Sequence, residues 1–153
     1  MRPIIDLLDE AGIGYVAEEI DRLDVRPEVR PVVAMSRALW HRADAAAWAI
    51  VLRSPLVGLS WADMQALRVD YDQGRLSADW PRLLEAFVAD PGSCRISGDG
   101  AARVRKFWGV YADLAHNPLS RGRLAHQVES LWYALGGTAT LQNPAEMQNV
   151  RTT

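Results

Sequence analysis

The chain has 153 residues and a formal net charge of −2, enough for one domain with a real core. Its 49% hydrophobic and 24% charged residues exclude a disordered polypeptide. The acidic balance, with a pI near 5.9, excludes a general polyanion binder, so any nucleic-acid contact must come from a local patch.

Helical periodicity dominates. Residues 3–11 place Ile4, Ile5, Leu7 and Leu8 on one side, with Gly12 as a stop, and Tyr15 to Ala17 allows one short strand. Residues 27–40 put Val29, Val32, Val33, Leu39 and Trp40 on a broad apolar face, and Asp44 begins a helix bearing Ala47, Trp48, Val51 and Leu52. The short connection at His41–Asp44 makes residues 27–52 an antiparallel pair, with Trp40 and Trp48 both expected to be buried. A helix from Trp61 carries Met64 and Leu67, and the polar stretch Asp70 to Ser77 reads as a loop around Gly74. Residues 79–89 give Leu83, Leu84, Phe87 and Val88 before the Asp90-Pro91-Gly92 stop, and Pro91 to Gly100 reads as a flexible linker. Residues 101–116 space Val104, Phe107, Trp108, Tyr111 and Leu114 helically. Residues 120–135 do the same with Leu124, Val128, Leu131, Trp132 and Leu135, ending at a Gly136-Gly137 cap. Another helix begins at Pro144. The expectation is an all-α fold, mostly helical, in a single domain over residues 1–153.

Six tryptophans could suggest a base-stacking surface. Five of them, at 40, 48, 80, 108 and 132, sit on apolar helical faces, where core packing is the better reading. Trp61 differs because it follows Ser60 at a helix start, where burial against Leu56 and exposure are both open.

The stretch AIVLRSPLVGLSWADM, residues 49–64, carries the candidate site. An apolar helix ends at Arg53, Ser54-Pro55 breaks it, and Gly58 precedes Ser60, which caps a new helix with Asp63 three residues on. Arg53, Ser54, Gly58 and Ser60 thus form a corner where helix-start N–H groups and an arginine suit an anion such as a DNA phosphate. An ordinary helix–loop–helix junction has the same outline.

The order of segments around this corner resembles the UvrD/Rep-type superfamily 1 DNA helicases, in the nuclease-linked branch typified by the exonuclease V beta subunit and AddA. The matching residues are AGI at 11–13, EEIDRL at 18–23, RPEVRPVVAMSRALWHRADAAAW at 26–48, LRSPLVGLSWADM at 52–64 and VESLWYALGG at 128–137. The corresponding family patterns are "AGI", "EIxxL", "RPxVRDLxALxRALxHPADRxAW", "LRSPxxGLSxxDL" and "VExxWxxLGG". Trp40-His41-Arg42 departs from the family's His-Pro pair. The resemblance spans residues 4–140 and implies a multi-helix insertion subdomain of the second motor domain. The parent protein would use ATP and Mg for DNA repair and recombination. Implied partners are duplex DNA and either the motor domains of the same helicase or a partner nuclease subunit.

The residues themselves carry no catalytic constellation. Lys106, the only lysine, has no glycine-rich turn before it, so no P-loop is present. IIDLLDE, residues 4–10, has the outline of a Walker B strand but fits a helix that ends at AGI. His41, His116 and His126 show no metal-ligand spacing with Cys94, and no G-x-S-x-G elbow occurs. No cofactor is therefore expected in this chain. It reads as a truncated piece of a larger helicase, with the family's arginine-bearing motif falling before Met1. The lone Cys94 forbids an internal disulfide, no apolar run approaches the roughly 18 residues of a membrane span, and no signal peptide is read. A cytoplasmic protein without membrane contact is expected. Two functions compete: a DNA-contacting helicase subdomain, and a helical interaction module docking onto motor domains or a partner subunit.

The isolated chain should show no ATP turnover, with or without duplex DNA. Turnover that survives repurification, and is lost on mutating a residue of this chain, would overturn that reading.

Overall fold

A computed structural model describes residues 7, 10–12, 26–70, 75–116, 124–142 and 144–152. The fold is mostly helical. Its elements are α1 (Arg30–Trp40), α2 (Ala45–Arg53), α3 (Trp61–Arg68), β1 (Val69–Asp70), β2 (Arg75–Leu76), α4 (Trp80–Ala89), α5 (Gly98–His116), α6 (Leu124–Ala134), a 3₁₀ turn (Gly137–Thr140) and α7 (Pro144–Thr152). The strand expected at 15–17 lies outside the described residues. At the N-terminal end the Ala11 N–H donates to the Leu7 carbonyl and Gly12 adopts φ +65°, as expected of a helix ending there.

Local chemistry sets these boundaries. Pro31 opens α1 where a missing N–H costs nothing. Asp44 caps α2 by accepting from the Ala47 N–H at 2.9 Å, while Arg37 donates to the same carboxylate from Nε and Nη2 at 3.0 and 2.7 Å. These bonds, the Ala47 N–H foremost, hold the Asp44 carboxyl below its usual range against the opposing effect of desolvation. Asp79 caps α4 through the Arg82 N–H. Gly136 follows α6 in the left-handed conformation, the expected cap.

The α1–α2 hairpin packs with α6, and α4 and α6 pack on α5. Trp48 is the hub of the core at 1% exposure. Its ring meets Phe107 edge-on at 6.2 Å and Tyr111 at 5.4 Å, and its Nε1 donates to the Arg42 carbonyl at 3.0 Å. Met35, Leu52, Leu84, Val104 and Leu131 are buried in the same cluster.

Three expectations need correction or refinement. Trp40 is not buried: it is 80% exposed. The buried face of α1 runs through Pro31, Ala34, Met35 and Ala38, and at 100° per residue position 40 turns away from that stripe. Trp108 is only half-buried, tilted against Tyr111 at 5.3 Å, whereas Trp80 and Trp132 lie in the core as expected. The 70–77 stretch is not simply a loop, because its ends pair antiparallel, Val69 with Leu76 and Asp70 with Arg75. Arg68 extends that pairing, donating from Nε to the Ser77 carbonyl at 2.8 Å and accepting the Ser77 N–H at its own carbonyl.

Truncating the hub and the surface tryptophan should separate the two environments. Trp48→Ala should cost about 3–5 kcal/mol, and Trp40→Ala should stay within about 0.5 kcal/mol. Denaturant midpoints of the two variants at constant m value check this.

Candidate nucleic-acid interface

The candidate site is the seven-residue connection between α2 and α3, residues 54–60, with its flanking side chains. It is built around the Ser54 carbonyl, which accepts the Val57 N–H at 3.1 Å and the Gly58 N–H at 2.7 Å. Gly58 takes φ +74°, a conformation that a side chain strains. The chain then returns so that the Leu59 N–H donates to the Leu52 carbonyl at 2.9 Å. Leu56, Val57 and Leu59 are buried and pin the turn to the core.

The four predicted residues sit together but play different parts. Ser54 is buried, and its hydroxyl donates to the Val51 carbonyl at 2.7 Å. Ser60 caps α3 as expected, accepting the Asp63 N–H at 3.0 Å, while its hydroxyl donates to Asp63 Oδ2 at 2.6 Å. Gly58 shapes the turn. Arg53 is exposed and anchored, donating from Nη1 to the Leu59 carbonyl at 2.6 Å, with its guanidinium 5.4 Å from the centre of the Trp61 ring. Trp61 itself is 68% exposed, which resolves the choice left open by its sequence. The outward chemistry of the corner therefore comes from an arginine lying over a tryptophan ring, and the serines hold the frame.

Long-range contacts add to this site what its local sequence does not state: a second role for the capping residue Asp63, and the residues Ser97, Gly100 and Arg103. Asp63 is a buried carboxylate whose Oδ1 accepts the Ser97 N–H at 2.8 Å, 34 positions away. Burial alone would raise its carboxyl pKa. Hydrogen bonds to the carboxylate from the Ser60 hydroxyl, from the backbone and side chain of Ser97 and from the Ser60 backbone outweigh that and hold it below the usual 3.8. Gly100, in the first turn of α5, lies so close that a Cβ there would meet the Asp63 carboxylate at 2.6 Å. Ser97 Oγ also accepts the Gly100 N–H at 3.0 Å, so the Pro91–Gly100 stretch is irregular only to Ser97 and is tied to α3 at its end. Arg103, one turn further along α5, donates from Nη1 to the Val57 carbonyl at 3.2 Å and from Nε to Asp99 at 2.6 Å. Nothing in the local sequence pointed to Arg103, because its partner is 46 positions away.

Beside Trp61, a cleft of about 600 Å³ runs between α2 and α3, lined by Ala45, Ala49, Met64, Arg68 and Trp80. Among the described residues, no group of three or more His, Cys, Asp or Glu side chains could hold a metal ion, and no helix is long and apolar enough to cross a membrane. No protein-family model, curated protein or solved structure matches this chain.

Asp63 should make stability depend on acid. With its folded pKa depressed, its contribution is complete above the unfolded value near 3.8 and is lost as pH falls through the folded value. Asp63→Ala should cost about 1.5–3 kcal/mol at neutral pH. Thermal melts from about pH 7 to pH 2 should show the gap between wild type and variant closing in acid; a gap independent of pH would contradict this assignment.

Proposed function

We propose that this chain is a helical subdomain of an ATP-dependent UvrD/Rep-type DNA helicase of the nuclease-linked branch, acting in the cytoplasm in DNA repair and recombination and contributing contacts to duplex DNA. The observation that carries the reading is the exposed Arg53–Trp61 pair at the α2–α3 corner. It lies within the segment LRSPLVGLSWADM, where the resemblance to that family is densest. An arginine placed over an aromatic ring and tethered to a carbonyl keeps its remaining donors in a fixed fork, the geometry that suits a phosphate. Because Ser60 is committed to Asp63, the side chains and not the serine hydroxyl would meet the backbone. ATP and Mg would belong to the motor domains of the parent protein.

A second reading, docking onto a motor domain or a partner subunit, is favoured by the apolar cleft beside Trp61, since tryptophan and arginine dominate protein–protein hot spots. Salt separates the two, because phosphate contacts release counterions and weaken steeply with salt.

Titration of the chain with duplex DNA at several salt concentrations tests the proposal. Arg53→Ala should weaken binding equally for all sequences and lower the salt slope by about 0.9. Trp61→Ala should weaken it by about 0.5–1 kcal/mol, the worth of an exposed cation–π contact. Ser60→Asp is not a clean probe, since it would set a second carboxylate beside Asp63. Duplex affinity that neither Arg53→Ala nor Trp61→Ala changes would overturn the DNA reading.

A further inference from the structure

We infer that Arg103 is the second arginine of a two-arginine site for a backbone phosphate of duplex DNA, straddling the Gly58 turn opposite Arg53; this rests on the duplex-contact reading above. Both guanidinium groups are tethered to the same turn. Arg53 Nη1 donates to the Leu59 carbonyl at 2.6 Å and Arg103 Nη1 to the Val57 carbonyl at 3.2 Å. Val57 and Leu59 flank Gly58, so their Cα atoms are at most about 7.6 Å apart. Both side chains are exposed.

Gly58 is what lets Arg103 lie there, because a Cβ at that position would come within 2.4 Å of Arg103 Nη1. The same glycine therefore serves the left-handed turn and the approach of the second cation. A guanidinium offers five N–H donors and accepts none. Arg103 uses Nη1 for the Val57 carbonyl and Nε for Asp99, and Arg53 uses Nη1 for the Leu59 carbonyl, so each fork has more donors than these contacts take. Side chains already ordered by carbonyl tethers lose little rotamer freedom on meeting a ligand. Of the nearby anions, Asp63 is buried and bonded to Ser60 and Ser97. Asp99 is exposed and sits on Arg103, where it opposes an incoming phosphate. That opposition distinguishes a ligand-binding role from a purely structural one.

The test is titration of the 153-residue chain with duplex DNA at low and high salt, with melting curves to show that each variant is folded. Arg103→Ala should weaken binding about tenfold and lower the salt slope by about 0.9. Arg103→Lys, which keeps the charge, should retain the slope. Asp99→Ala should tighten binding, since the competing carboxylate is gone. If Arg53→Ala weakens binding but Arg103→Ala changes neither affinity nor slope, the two-arginine site is wrong and the duplex reading survives. If Asp99→Ala weakens binding, Arg103 is only a strut on Val57 and the inference fails. If the wild-type chain shows no salt-dependent binding, the duplex reading and this site fall together.

Discussion

The corner depends on the buried carboxylate of Asp63. A charge removed from water is tolerated only when its lone pairs are satisfied, and here the Ser60 hydroxyl and the Ser97 N–H supply that on opposite sides. One side chain thereby fixes the start of α3 and the approach to α5. The absence of a side chain at Gly100 lets α5 come that close. Arg103 is placed by the same docking, since it lies one turn beyond Gly100 on α5.

This arrangement changes what a helix start can do at the site. An isolated N-terminus attracts an external anion through its free N–H groups and dipole. At α3 the first turn carries its own anion, and the Asp63 N–H is bonded to Ser60. Under the proposed reading, a phosphate would be met by the guanidinium groups held on the turn's carbonyls. In the proposed helicase subdomain the loop is a rigid mount, and the cations are its contact surface.

The apolar wall beside this mount has a different origin. The core consumes Trp48, Trp80 and Trp132, while Trp40 and Trp61 remain outside. Trp40 ends α1 and Trp61 opens α3, each turned away from the buried stripe of its own helix. The alanines of α2 at 45 and 49 leave room for the cleft that Trp61 borders. An exposed tryptophan beside an apolar cleft and an arginine carries the aromatic and arginine enrichment of a contact face, whichever macromolecule meets it.

Where features arise from neighbours in sequence, the amino-acid order was sufficient. The caps at Asp44 and Ser60, the breaks at Ser54-Pro55 and Asp90-Pro91-Gly92, the glycine cap after α6 and the helical identity of the chain all follow from contacts three or four residues apart, which the pattern of side chains states directly. The juxtaposition of Arg53, Ser54, Gly58 and Ser60 was legible for the same reason. Beyond the Ser60 cap, what each of them does was not. Trp40 reads as apolar on any helical wheel, and only the position of the α1 stripe against α2 and α6 turns it to the surface. The pairing of Val69 with Leu76 depends on backbone geometry that a polar stretch does not announce. Asp63 read as a capping residue, and only the docking of the loop at Ser97, 34 positions on, makes it a buried hub. Arg103 joins the site across 46 positions. The sequence alone determined the helices and their ends, because those are local hydrogen bonds. Tertiary structure alone decided which polar groups face inward and which cations share one turn, because that depends on how close the backbones of α3 and α5 come.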